Sequence, residues 1–368
     1  MSLRQIIGQE TAVATLRRAL ASDAVPQAYL FVGPEGTGKT ATALAFAQTI
    51  SCKTPTPDGD ACGTCANCTR IAAGQHPDVV PIAPDGENTR IWQLWSRPGH
   101  PPGALENLPY QPVAAPKRFY IIEKAETLNE ESANSLLKAL EEPPRYVQFV
   151  LCAPSLTAVL PTILSRCQIV RFGPAPLEAI AKGLQERLSL DEGEARSLAA
   201  FAQGAPGRAF RLSETPELRE QRESLLALAN RIARSPGIAS FRLAEDLRNI
   251  AKPPKAKKGD DSDDGERTTR GEMTRALDVL TTFFSDLLSL SLRGDDAPIV
   301  HTDRRAELIE AAGRYRREQL VENLETLFTF RQYLLRNANA QIATEAMMLR
   351  LVPKKAAAKP GAGDKVSA

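Results

Sequence analysis

The residues from Gly33 to Thr40, GPEGTGKT, match every fixed position of the phosphate-binding pattern G-x-x-x-x-G-K-[ST]. Glycines in such a loop let successive backbone N–H groups turn toward phosphate oxygens. The lysine reaches the β- and γ-phosphates, and the last hydroxyl ligates Mg²⁺. We therefore predict a site for ATP or ADP with Mg²⁺, formed by Gly33, Pro34, Glu35, Gly36, Thr37, Gly38, Lys39 and Thr40. The alternative is a glycine-rich turn that matches the pattern by chance.

Four cysteines follow the loop with the spacing C-x9-C-x2-C-x2-C. Each C-x2-C step can direct two thiolates at one tetrahedral ion, at about 2.3 Å. In a reducing compartment such clustering favours a metal over disulfides. We predict a structural zinc site without an open position for catalysis, with the ligands Cys52, Cys62, Cys65 and Cys68. An iron–sulfur cluster and a redox dithiol pair remain alternatives. Cys152 and Cys167 lie outside the cluster and are predicted to be plain buried residues.

A third candidate position follows the predicted strand Arg118–Ile122. In P-loop enzymes an acidic residue there holds Mg²⁺, and a water-positioning residue orients the nucleophile. Here Glu123 occupies the metal position and Lys124 the water-activating position. A charged lysine cannot accept a proton from water, so we expect this site to bind nucleotide but to hydrolyse it poorly or not at all. Glu126 remains open as a substitute base.

Flanking elements must place these residues. Tyr29–Val32 is a short apolar run that predicts a buried strand before the loop, and Thr42–Ile50 has the apolar spacing of a helix after it. Strands and helices alternate up to Phe172, which indicates a parallel sheet flanked by helices. The proline-rich residues 97–116 are predicted to be an irregular connection.

After Pro174 the pattern becomes entirely helical, so the chain is predicted to contain several domains. The predicted divisions are an α/β nucleotide-binding domain (1–173) with the cysteine insert (52–68), a helical lid (174–212), an all-α domain (213–352) with a mobile loop (252–270), and a disordered tail (353–368).

The composition excludes some functions. The chain is 43% hydrophobic and 24% charged, which is ordinary for a soluble globular protein. A net charge of +2 argues against an obligate non-specific DNA coat. No stretch is apolar enough to cross a membrane and no signal-peptide core is seen, so a cytoplasmic location without membrane contact is expected.

Five motifs together resemble one family, the clamp-loader AAA+ subunits of bacterial DNA polymerase III. They are IIGQE (6–10), GPEGTGKT (33–40), the cysteine insert, SANSLLKALEEPP (132–144) and LPTILSRC (160–167). The resemblance is motif-specific to about Arg208, and to about Leu351 it covers only the helical layout. It implies an AAA+ domain with a lid and a C-terminal collar domain. It also implies a hetero-pentamer with gamma/tau and delta subunits in the bacterial cytoplasm, which loads the sliding clamp on primed DNA with ATP as part of the polymerase holoenzyme.

Within that family the chain looks more like the delta-prime type than the gamma/tau ATPase motor. HPDV (76–79) is similar to delta-prime, Glu123-Lys124 replaces the motor's Asp-Glu pair, and the lid's sensor arginine falls on Gly207, with Arg208 one place away. A catalytically active gamma/tau-type ATPase is the alternative. A zinc-dependent DNA-binding module on a P-loop fold is a third possibility.

The resemblance also assigns a role to Arg166, the arginine of the SRC motif. In this family that arginine is a finger acting in trans, so Arg166 would reach the γ-phosphate on a neighbouring motor subunit. The alternative is that Arg166 only caps or pairs within its own domain.

Overall fold

The computed structural model describes residues 2–22, 24–86, 88–251, 265–335 and 339–353. Five strands are formed by Ala28–Val32 (β1), Val79–Ile82 (β2), Arg118–Ile122 (β3), Val147–Ala153 (β4) and Gln168–Arg171 (β5). The helices up to β5 are Glu10–Ala21 (α1), Lys39–Ser51 (α2), Ala66–Ala72 (α3), Ile91–Leu94 (α4), Glu130–Glu141 (α5) and Pro161–Leu164 (α6). The later helices are Leu177–Leu188 (α7), Glu192–Ala202 (α8), Pro206–Glu214 (α9), Pro216–Arg234 (α10), Ser240–Ile250 (α11), Gly265–Arg293 (α12), Arg305–Ala312 (α13), Arg317–Leu335 (α14) and Ala340–Leu351 (α15).

The five strands form one parallel sheet in the order β2-β3-β4-β1-β5. β4 therefore lies between β1, which leads into the phosphate-binding loop, and β3, which carries Glu123 at its end. All residues of β1, β3 and β4 are buried, because helices cover both faces of a parallel sheet. The predicted parallel sheet flanked by helices is confirmed.

Side chains alternate between two cores, one on each face of the sheet. Leu30, Tyr120 and Phe149 belong to one core, and Phe31 and Phe119 belong to the other. This is the two-residue period expected of a strand, and it makes each strand contribute to both layers. The sheet therefore provides a rigid base for the loops that follow its strands.

The chain divides into two compact units, of which the first ends at Arg211 and the second begins at Leu212. The described residues of the second unit form helices and their connections, with a buried core that includes Leu226, Leu247, Phe284 and Met348. None of the helices within the described residues is long and apolar enough to cross a bilayer.

One expected boundary differs from the structure. α12 begins at Gly265, so residues 265–270 are helical rather than part of the predicted loop 252–270. Residues 252–264 of that loop and 354–368 of the predicted tail lie outside the described residues. Residues 97–116, all within the described range, contain no helix or strand, as predicted for that proline-rich connection.

Candidate nucleotide and metal sites

The loop between β1 and α2 has a backbone that its glycines make possible. Gly36 and Gly38 have φ angles of +79° and +97°, in the left-handed region that side chains rarely adopt. A Cβ on Gly33 would lie 2.2 Å from the carbonyl oxygen of Phe172, so this position accepts only glycine. α2 begins at Lys39, directly after the loop. The structure thus places a helix N-terminus after a glycine-shaped loop, the arrangement that binds phosphate.

Lys39, the lysine of the loop, is held by backbone carbonyl groups of the same loop. Lys39 Nζ donates to the carbonyl oxygens of Gly33 (2.6 Å) and Pro34 (2.8 Å). Partial burial lowers the pKa of Lys39, while the negative charges of nearby groups, Glu126 among them, oppose that shift. Lys39 is thus folded over the loop in a position from which it can exchange backbone carbonyls for phosphate oxygens.

Thr40 lies beside Cys152, which is near the end of β4. Burial raises the pKa of Cys152 to about 12, so the thiol is neutral at pH 7. The sequence predicts Cys152 to be a plain buried cysteine, and it is fully buried. Its place beside Thr40 follows from the insertion of β4 next to β1, which the order of motifs along the chain does not reveal.

The lid touches the loop through its backbone. The N–H of Gly207, in the first turn of α9, donates to the carbonyl oxygen of Gly36 at 2.9 Å. A Cβ on Gly207 would lie 3.3 Å from that oxygen, so the position is tight. The guanidinium of Arg208 lies 4.7 Å from the centre of the Phe201 ring, within the lid. Gly207, in the position expected for the sensor arginine, therefore gives the loop a backbone N–H group and no positive charge.

Glu123 and Glu126 follow the carboxyl end of β3, as the sequence predicts. Glu123 is half-buried and its N–H donates to the carbonyl oxygen of Ile82 at 3.0 Å, which continues the β2–β3 pairing. Lys124 and Glu126 are exposed. Glu126 follows the carboxyl end of β3, which is parallel to β1 and β4, so it lies on the side of the sheet that carries the loop, and its charge acts on Lys39. Position 124, where P-loop ATPases need a water-positioning group, is occupied by a lysine, which has no carboxylate.

The four predicted cysteine ligands come together. Their sulfur atoms all lie within 4.8 Å of one another, and the cysteines are free of disulfides. The Sγ atoms of Cys52 and Cys65 are 3.9 Å apart. Thiolates bound to one tetrahedral zinc at about 2.3 Å would have sulfurs about 3.8 Å apart. The cluster thus has the dimensions of a site for a single ion, rather than for several iron atoms.

Hydrogen bonds to sulfur also suit a metal ligand. The hydroxyls of Thr54 and Thr64 and the N–H of Cys65 donate to Cys62 Sγ. These bonds, that of Thr54 foremost, lower the pKa of Cys62 to about 5, which favours the thiolate form that binds metal. Burial raises the pKa of Cys68 to about 12. A divalent cation would be the natural group to stabilise the buried Cys68 as a thiolate.

Arg166 lies in the turn between α6 and β5. It donates to the carbonyl oxygen of Thr162 (2.8 Å), to Ser165 Oγ (3.0 Å) and to the carboxylate of Glu141 at the end of α5. Its side chain is 31% exposed. In the single chain it is therefore paired within its own domain, and part of the guanidinium still faces solvent.

The position of Arg166 relative to the phosphate-binding loop follows from the strand directions. β1 and β5 are parallel, with Tyr29 opposite Gln168. The loop leaves the carboxyl end of β1, whereas Arg166 precedes the amino end of β5. The two sites are thus on opposite edges of the sheet, separated by a strand of about 13 Å. Arg166 does not reach the phosphate site of its own chain in this fold.

Comparisons with known proteins give a consistent result. A family model described as DNA polymerase III, delta subunit, matches residues 8–176, and a model of the C-terminal part of the delta subunit matches residues 269–352. The chain is 28% identical over 338 residues to DNA polymerase III subunit delta' of Bacillus subtilis, covering 91% of this chain and 94% of that protein.

Two further relatives are similar over a shorter stretch. DNA polymerase III subunit tau of Bacillus subtilis is 32% identical over 204 residues, and subunit tau/gamma of Haemophilus influenzae is 33% identical over 208 residues. Each alignment covers 54% of this chain, but only 35% and 28% of those proteins. The chain thus spans about a third of the tau-type relatives and nearly all of the delta' relative.

Proposed function

Because the chain belongs to the DNA polymerase III delta-subunit family, we propose that it is the delta'-type subunit of a bacterial clamp loader. The match to a delta' subunit along 94% of that protein supports this proposal over a gamma/tau subunit. The subunit would assemble with gamma/tau and delta subunits and help to load the sliding clamp on primed DNA.

The proposed contribution to ATP chemistry is Arg166, acting on the nucleotide of a neighbouring motor subunit. The observation that carries it is the position of Arg166 on the sheet edge opposite its own phosphate loop, partly exposed to solvent. A guanidinium placed near a γ-phosphate offsets the negative charge that develops during phosphoryl transfer. When the neighbour docks, the guanidinium of Arg166 would either break its hydrogen bond to Glu141 or keep it while also contacting the γ-phosphate.

The chain's own loop would bind ATP or ADP with Mg²⁺. Lys39 would contact the phosphates, the Thr40 hydroxyl would ligate the metal, and Glu123 would reach it directly or through water. Hydrolysis at this site would be slow, because Lys124 cannot orient or deprotonate water. The nucleotide would then serve mainly to order the loop and the lid that contacts it at Gly36.

The cysteine cluster would hold a structural zinc ion through Cys52, Cys62, Cys65 and Cys68. The sulfur spacing and the donors around Cys62 support this assignment. Four thiolates fill a tetrahedral zinc, so the ion would stabilise the insert and take no part in catalysis.

The test is ATP turnover by the purified chain alone and mixed with the gamma/tau motor, comparing wild type with Arg166→Ala. Arg145→Ala is the matched control, because Arg145 is exposed and lies just before β4, at the same sheet edge. We expect no turnover alone, stimulation in the mixture, and loss of that stimulation only in Arg166→Ala. Equal stimulation by Arg166→Ala and wild type would contradict the in-trans role.

A second function, the active motor, is kept open by the complete loop and by Glu126, whose charge acts on Lys39. Turnover by the chain alone that disappears in Lys39→Ala would support it. In the proposed function Lys124→Glu introduces the missing carboxylate, so turnover by the chain alone should rise. A wild type that is already competent should gain nothing from that change.

A further inference from the structure

Asp60, in the cysteine insert, is a buried carboxylate that binds its own insert and three other parts of the chain. Its side chain is 1% exposed. It accepts hydrogen bonds from the backbone N–H groups of Leu3 (3.1 Å) and Arg4 (3.0 Å), from its own insert at Ala61 N–H (2.8 Å), and from Thr49 Oγ1 of α2 (3.0 Å). Arg17 of α1 adds an ion pair at 3.1 Å. Charge-assisted bonds of this kind are the strong ones.

The segment that Asp60 holds, residues 2–9, is also in contact with the lid. Arg187 of α7 donates to the carbonyl oxygen of Gln5. Ile7 packs against Gly183 of α7, where an added Cβ would lie 2.4 Å from Ile7 Cδ1. Gln9 exchanges two hydrogen bonds with the backbone of Gly173, at 2.7 and 3.1 Å, immediately before the lid.

The cysteine cluster is joined to Asp60 by a short stretch of chain and by α2. Only Ala61 separates Asp60 from Cys62. Gln48 of α2 donates to the carbonyl oxygen of Cys68 (2.8 Å), next to Thr49, which donates to Asp60. A change in the fold of the cluster therefore reaches Asp60 by two routes, the peptide chain through Ala61 and the hydrogen bonds that Gln48 and Thr49 of α2 donate.

We propose that Asp60 couples metal occupancy of the cysteine cluster to the N-terminal segment 2–9, and through that segment to the lid over the nucleotide site. With metal bound, the insert presents the carboxylate to Leu3 and Arg4. When the metal leaves, the insert loosens, these two N–H groups lose their acceptor, and the segment separates from the lid. The inference rests on the proposed zinc site.

Hydrogen exchange of the full chain tests the coupling, with the amides of Leu3 and Arg4 as direct reporters. Three samples are compared: zinc-loaded wild type, chelator-treated wild type, and zinc-loaded Asp60→Asn. We expect exchange at these amides to rise about ten-fold in the second and third samples, because each loses a bond to a charged acceptor. Asp58→Asn is the control, since Asp58 is 47% exposed and accepts no backbone bond from the segment in the described contacts.

Zinc content is measured on the same samples, so that failure of the zinc assignment can be distinguished from failure of the coupling. A wild type without metal overturns the proposed zinc site, and the coupling with it. A metal-loaded wild type whose segment exchanges at the same rate after chelation overturns the coupling and leaves the zinc site standing. Unchanged exchange in a folded, zinc-loaded Asp60→Asn also overturns it. Nucleotide affinity, followed with a fluorescent ATP analogue, should fall together with protection of the segment.

Discussion

The carboxylate of Glu141, the last residue of α5, accepts a hydrogen bond from the guanidinium of Arg166 in the turn before β5. The two residues are 25 positions apart and belong to separate motifs, LLKALEEPP and SRC. A carboxylate that fixes the direction of an arginine can prepare it for a neighbour's phosphate, since misplacement of a catalytic group by about 1 Å can cost about 10²-fold in rate.

Glu141→Gln therefore tests whether Glu141 positions the arginine. We expect kcat of the mixed assembly to fall several-fold at unchanged KM, because Arg166 remains but loses its orientation. The free energy of unfolding should change by less than about 1 kcal/mol, since the pair is partly exposed. Glu142→Gln, on the adjacent exposed glutamate, should change neither quantity. A normal kcat in Glu141→Gln would mean that the pair has no role in positioning.

Cys62→Ser should lower zinc content and thermal stability together. Cys62 is the cysteine whose pKa lies lowest, at about 5, and serine is a poor substitute for a thiolate ligand. Cys167→Ser is the comparison, because Cys167 lies outside the cluster. Metal analysis and thermal melts of protein purified without chelator measure both effects. Full zinc occupancy in Cys62→Ser would remove this residue from the ligand set.

Asp78→Ala should be strongly destabilising. Asp78 is fully buried, lies 3.2 Å from Arg118, and accepts N–H bonds from Val113, Ala114 and Ala115. Removing it leaves the buried Arg118 charge without its carboxylate, at a cost of about 3–5 kcal/mol. Urea unfolding followed by tryptophan fluorescence reports on this domain, which holds both tryptophans.

The exposed Asp85→Ala is the control for that measurement and should stay within about 0.5 kcal/mol of wild type. The irregular segment 107–115 should also become sensitive to protease in Asp78→Ala, because Asp78 and Arg118 together hold its backbone. Equal unfolding midpoints for the two variants would show that the buried pair contributes little.

Asp286, a buried carboxylate of the second unit, makes the stability of the protein depend on pH. Burial raises the pKa of Asp286 to about 6, with a further contribution from the charge of Asp303, against hydrogen bonds from the N–H groups of Val300 and His301. A folded-state pKa above the unfolded value means that the folded protein holds the extra proton. This contribution to stability is complete below about pH 4 and is lost as the pH rises to about 6.

Asp286→Asn should remove this loss of stability with rising pH, because an asparagine does not titrate. Relative to wild type, its free energy of unfolding should increase by about 2 kcal/mol between pH 4 and pH 7, on top of a constant offset from the altered hydrogen bonds. His301, whose pKa burial lowers to about 3, acts with the opposite sign but is common to both proteins. Parallel pH profiles would contradict the assignment, and Asp295→Asn, at a residue that is 93% exposed, is the control variant.

Residue types and their spacing predict the features that are complete within a short stretch of chain. The phosphate loop needs only Gly33, Gly38, Lys39 and Thr40 at fixed spacing between a strand and a helix. The cysteine cluster likewise needs four thiols within seventeen residues, and the structure brings them together as predicted. In both cases the covalent spacing already restricts the geometry, so residue types are sufficient.

Contacts between distant groups could not be predicted in this way, because they depend on how the elements pack. Alternating strands and helices are compatible with many strand orders, and only the observed order places Cys152 of β4 beside Thr40. The contacts of Asp60 with Leu3, of Glu141 with Arg166 and of Gly207 with Gly36 also join segments far apart in sequence. Such contacts depend on how packed layers fix the ends of strands and helices in space, and no local pattern of residue types encodes that arrangement.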